Sequence, residues 1–98
     1  MAYRLRQNAP IGIFDSGPGG LAVLQEVRRL LPHEDVLYVG DTARQPYGPR
    51  PQEEVRRFAV EITGYLAQQG AKLVIIGCNT ASVAGWEAAQ RAYPEIPV

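Results

Sequence analysis

At 98 residues the chain has room for one small domain with a modest core. Ten basic residues balance ten acidic ones, so no net field draws it to nucleic acid or to an anionic membrane surface. Its one cysteine, Cys78, excludes an internal disulfide, and with His33 as the lone histidine a Cys/His zinc site has too few ligands.

No apolar run approaches the ~20 residues of a membrane span. Met1 to Pro10 lacks the apolar stretch of a signal peptide, and a cytoplasmic location is the default expectation. Residues 1–9 read as a flexible start. Ile11-Gly12-Ile13-Phe14 is an apolar run ending in Asp15-Ser16-Gly17, the pattern of a buried strand and a turn. Leu21, Leu24, Val27 and Leu31 recur at helical spacing until Pro32 stops the helix. His33 falls in the polar stretch Pro32-His33-Glu34-Asp35 and reads as a solvated loop residue. Val36 to Val39 forms a second strand, closed by Gly40-Asp41.

The loop from Thr42 to Pro51 exceeds the ~2–6 residues usual for a β–α connection, and excess length of this kind often serves binding. Val55, Phe58, Ala59, Ile62 and Leu66 then make one apolar stripe. Glu53 and Glu54 stand in the first turn, where the helix dipole favours anions, and Gly70 ends the helix. Leu73-Val74-Ile75-Ile76 is continuous in the way of a strand covered on both faces. A third helix opens near Asn79-Thr80 and stops before Pro94, and Ile96-Pro97-Val98 reads as the start of a fourth strand. The order β-α-β-α-β-α-β predicts an α/β fold with a parallel sheet flanked by helices. A chain ending on a new strand reads as truncated, a piece of something longer.

In such sheets ligands bind beyond the carboxyl ends of the strands. Asp15-Ser16, Asp41-Thr42 and Cys78-Asn79-Thr80 each follow a strand end, so three turns deliver polar or nucleophilic groups to one edge. A thiol at a helix N-terminus faces unpaired amides and the positive end of the dipole, which favours the thiolate. The competing reading of Cys78 is a buried structural cysteine. Asp15 either assists proton movement at a nearby thiol or caps its own turn. The loop Arg44-Gln45-Pro46-Tyr47-Gly48 either offers amides and an aromatic wall to a small ligand or packs Tyr47 on the scaffold.

Gly17, Gly19 and Ala22 also fit the G-x-G-x-x-A of a dinucleotide site, with Asp41 at about the place of a ribose-binding acid. Asp15 would oppose a pyrophosphate there, and Pro18 has no N–H to offer it. Lys72, the sole lysine, starts a strand and is expected at the opposite end from the site. That position argues against a pyridoxal-phosphate Schiff base in this chain.

Three phrases, in order and at matching spacing, carry a family resemblance. Ile11-Gly12-Ile13-Phe14-Asp15-Ser16-Gly17-Pro18-Gly19-Gly20-Leu21, Tyr38-Val39-Gly40-Asp41-Thr42-Ala43-Arg44-Gln45-Pro46-Tyr47-Gly48 and Val74-Ile75-Ile76-Gly77-Cys78-Asn79-Thr80-Ala81-Ser82 resemble the three N-terminal motifs of glutamate racemases. The resemblance runs from about Pro10 to Val98 and implies that residues 1–98 are one lobe of a two-lobe enzyme of the aspartate/glutamate racemase family. It implies cofactor-free interconversion of L- and D-glutamate by two cysteines on opposite faces of the α-carbon, feeding peptidoglycan synthesis. Cys78 matches the first of that pair, and Asp15 a residue assisting the thiol. Asp15, Ser16, Pro46, Tyr47, Gly48, Asn79 and Thr80 match substrate-contacting positions. The second cysteine belongs to a Gly-Cys-Thr-His phrase in a C-terminal lobe, which is absent from this sequence, so the chain is not expected to racemise glutamate alone. The implied partners are glutamate and that lobe, with a homodimer left open; no cofactor is implied. A racemase for aspartate or another amino acid, and a non-catalytic nucleotide-binding half-domain, stand as alternatives.

Overall fold

A computed structural model describes residues 8–17 and 21–98. Most of the expected flexible start lies outside those residues, as do Pro18, Gly19 and Gly20. The described elements are β1 (Ile11–Asp15), α1 (Leu21–Leu30), β2 (Val36–Gly40), α2 (Gln52–Gln68), β3 (Leu73–Ile76) and α3 (Asn79–Ala92), with one 3-10 turn over Thr42–Arg44. The sheet has the order β2-β1-β3 and is parallel throughout. Ile13 pairs with Tyr38 on one side and Ile75 on the other. The α/β architecture expected from the alternation of elements is therefore present.

Moving from β1 to β2 and then back across β1 to β3 reverses direction in the sheet. Right-handed crossovers then put α1 on one face and α2 on the other. Strand alternation sorts the side chains accordingly. Phe14 and Val74 join the main core with Val55, Phe58, Ala59, Ile62 and Leu66 of α2. These are the stripe residues, and each large one contributes roughly 1.5–3 kcal/mol by leaving water. Buried Ala81, Ala84, Gly85 and Ala89 give α3 a small-residue face against α2. The α2 helix ends at Gln68, and Gly70 follows with φ of +92°, a left-handed conformation that glycine adopts without strain.

Two features depart from the sequence reading. The apolar positions of α1 follow helical spacing, yet none is buried; Leu21 and Leu31 are 46% and 49% exposed. The side chains of α1 are at most partly buried, so its stripe is incompletely covered. The expected fourth strand is also not formed. Val74 donates its N–H to Pro97 O at 2.9 Å, but Pro97 has no N–H to answer with. Gln90 instead holds the segment, donating to Ile96 O (2.8 Å) and accepting from Val98 N (2.9 Å), while Trp86 Nε1 donates to Val98 O at 2.6 Å.

Candidate active site

Beyond the carboxyl ends of the strands, Asp15, Ser16, Gly17, Gln45, Pro46, Tyr47, Gly48 and Thr80 line an open cleft of about 480 Å³. The parallel register brings them together, because β1 and β2 end level at Asp15 and Gly40. Asp41 N donates to Asp15 O at 2.8 Å, and Gly77 N donates to Phe14 O at 2.7 Å, so all three strand exits are tied to one another.

Cys78 is extended (φ −120°, ψ 124°) and occupies the N-cap of α3. Its carbonyl accepts from Ser82 N at 2.9 Å, and its thiol donates to Ser16 Oγ at 3.4 Å, joining residues 62 positions apart. Asp15 is 4% exposed. Its Oδ1 accepts the Ser16 N–H at 2.6 Å, one residue on and not the two of an Asx turn. Its Oδ2 is buried with no hydrogen-bond partner among the described residues. A buried oxygen in that condition costs stability, and such groups concentrate where chemistry needs them. Near the same strand end Tyr38 Oη donates to Gly17 O at 3.3 Å. Burial, and then the nearby Asp15 carboxylate, push the Tyr38 phenol up from its ordinary value.

The structure sorts the expected site residues. Asp15, Ser16, Pro46, Tyr47, Gly48 and Thr80 line the cleft. Cys78 is not among the lining residues and reaches the cleft through Ser16; it is partly buried, not sealed in the core. Asn79 is exposed and does not line the cleft. Tyr47 is not an open aromatic wall. Its ring is 1% exposed, packed 6.3 Å from Phe14 and 5.5 Å from Phe58 between centroids, because those two rings form an apolar floor under the loop. The dinucleotide reading loses its ribose-binding acid: Asp41 Oδ2 already accepts from Tyr47 Oη at 2.5 Å and Arg44 Nε at 2.7 Å. Gly19 of that pattern lies outside the described residues. Lys72 stands just before β3 at the far end of the sheet, its ammonium paired with Glu34.

No protein-family model matches the chain. Curated relatives do. It is 63% identical over 76 residues to a glutamate racemase of Thermus thermophilus, covering 78% of this chain and 30% of that protein. It is 48% identical over 91 residues to one of Streptococcus uberis, covering 93% of this chain and 34% of that protein. The chain is a homologue of the glutamate racemases. It spans about a third of the length of the curated relatives it matches. The same holds among solved structures. The glutamate racemase of Francisella tularensis, crystallised with D-glutamate, superposes on 95% of this chain at a TM-score of 0.91 and 41% identity, over 35% of its own length. That of Thermus thermophilus, crystallised with beta-chloro-D-alanine, gives 0.88 and 53% over 93% of this chain.

Against this homology two cleft residues stand out as unmarked by sequence reasoning. Gln45 lines the cleft and lies against the β1 exit, where a Cβ on Gly17 would meet Gln45 Oε1. Its signal was its place between Arg44 and Pro46 in the second phrase, where a polar side chain is held by stiff neighbours. Gly17 is buried, and a side chain there would make the Gln45 amide shift. Among the described residues no helix is long and apolar enough to cross a membrane.

Proposed function

We propose that this chain is one lobe of a glutamate racemase, residues 1–98 forming half of a site that closes against a second lobe. The observation that carries this reading is the bond by which Cys78, at the β3 exit, reaches Ser16, which with Asp15 at the β1 exit lines the cleft. Cys78 as thiolate takes the α-proton of glutamate, leaving a carbanion. A thiol on the second lobe gives a proton to the opposite face, and the two sulfurs exchange protonation states. The α-proton is weakly acidic, so placement and charge stabilisation supply much of the rate. Asp15 assists proton movement at Cys78 through its unpartnered Oδ2. Ser16, Pro46, Gly48 and Thr80 of the cleft contact the charged ends of the substrate, joined by Asn79 from outside the cleft wall, and Tyr47 shapes the loop that does so.

No cofactor enters this scheme. The product, D-glutamate, feeds peptidoglycan synthesis in the cytoplasm, with a homodimer as one arrangement of the complete enzyme. Because Cys78 is the only cysteine in the sequence, the 98-residue chain supplies one proton-transfer thiol and needs the other from elsewhere. The test is optical rotation of L-glutamate with the full-length protein and with residues 1–98 alone, no cofactor added. The full-length protein should bring rotation to zero and the isolated chain leave it unchanged. Inversion of aspartate in place of glutamate would move the assignment to the related amino-acid racemases.

A further inference from the structure

The loop that lines one wall of the cleft is fastened from below by residues that the cleft does not contain. Tyr47 lies between Pro46 and Gly48, yet its phenol points away into the core and donates to Asp41 Oδ2 at 2.5 Å. Asp41 is bonded through its own N–H to Asp15 O, so this one residue joins the loop to the strand that carries Asp15. Arg44 completes the fastening. Its Nε donates to the same Oδ2 at 2.7 Å, and its guanidinium carbon stands 3.8 Å over the centre of the Phe58 ring, within the range of a cation–π contact. On the far side of the loop Arg50 N donates to Tyr47 O (3.0 Å) and Arg50 Nε to Arg44 O (2.9 Å). Burial first, and then the Asp41 hydrogen bond, hold the Tyr47 phenol protonated far above its ordinary range.

We propose that Asp41 and Arg44 are positioning residues that act through Tyr47, fixing Pro46 and Gly48 in the cleft and so setting the affinity for the amino-acid substrate. This rests on the racemase reading for its substrate, though not for the clamp itself. The geometry separates the two roles: Asp41 is tied to the loop by side-chain bonds and to β1 by a backbone bond, and neither it nor Arg44 lines the cleft.

The experiment compares the full-length protein with Tyr47→Phe, Asp41→Asn and the double variant, using Tyr65→Phe on exposed Tyr65 as control. Tyr47→Phe keeps the ring and removes only the hydroxyl, so the core stays filled. Two readouts are taken. Amide hydrogen exchange at Gln45 and Arg50 should quicken roughly tenfold, the share of one charge-assisted bond, while α2 amides keep the wild-type rate. The KM for glutamate should rise roughly tenfold with kcat within about threefold, a loss of ground-state binding that global loosening would not mimic. The double variant should be no worse than the worse single one, because the hydroxyl and carboxylate form one interaction. Unchanged exchange at Gln45 and Arg50 overturns the clamp. Faster exchange with unchanged KM overturns its part in substrate binding. If wild type turns over no glutamate, the racemase reading fails instead, and the exchange rates alone judge the clamp.

Discussion

Gly85→Ala tests how closely α2 and α3 approach, and thereby what holds Cys78 at its helix end. A Cβ at position 85 would fall 2.5 Å from Ala59 Cβ and 3.4 Å from Arg56 Cα. Two carbons attract best at about 3.5–4.0 Å, so the methyl group lies about 1 Å inside contact with a partner that cannot swing away. Alanine gains ~1 kcal/mol over glycine in helix propensity. Overpacking a filled core costs about 1–3 kcal/mol, and this case sits at the upper end because Ala59 is fully buried on a rigid helix. The net loss expected is ~1–2 kcal/mol, or roughly 4–15 °C in Tm for a domain of this size. Urea titration with far-UV circular dichroism measures it, with Gly48→Ala as reference, since nothing lies within 4 Å of a Cβ there. A Gly85→Ala protein more stable than wild type would refute the reasoning, because it would mean the helices part at no cost and propensity alone decides.

Leu66→Ala removes a fully buried side chain of the α2 stripe and should cost about 2.7–5 kcal/mol, measured in the same titration. The buried Tyr47 phenol gives an alkaline signature. Its folded pKa is raised, so above the unfolded value of about 10 the folded state retains a proton that the unfolded state releases. The contribution is fully present below pH ~10 and is lost with rising pH at up to ~1.4 kcal/mol per pH unit. Tyr47→Phe should flatten that decline in denaturation midpoints measured from pH 9 to 11, and an equally steep decline in the variant would contradict the burial of the phenol.

The sequence revealed most where a pattern reports on local covering. The α2 stripe and the β3 run each satisfy a periodicity strong enough to place them, and the position of Cys78 after β3 follows from the strand's end. Tertiary partnership is not written in periodicity. The α1 stripe has the same spacing as a core helix, yet what covers it is decided by neighbours along the sheet. Ile96-Pro97-Val98 has strand-like residues, but Pro97 supplies no donor and Gln90 of α3, which no motif marks, captures the segment. Tyr47 shows the same limit within the site. Its place in the second phrase marks the loop, while the direction of its ring depends on Phe14 and Phe58, which come from different elements. Asp41 likewise fits a ribose-binding spacing, while in the fold Tyr47 and Arg44 hold its carboxylate.

The most direct test of the central claim follows the α-proton of L- and D-glutamate by NMR in deuterated water, with the full-length protein and its Cys78→Ser variant, no cofactor added. Deuterium should appear at the α-carbon of both enantiomers with wild type, and racemisation should be lost in the variant. Wild type that leaves the α-proton in place, or a serine variant that racemises at the wild-type rate, would contradict it.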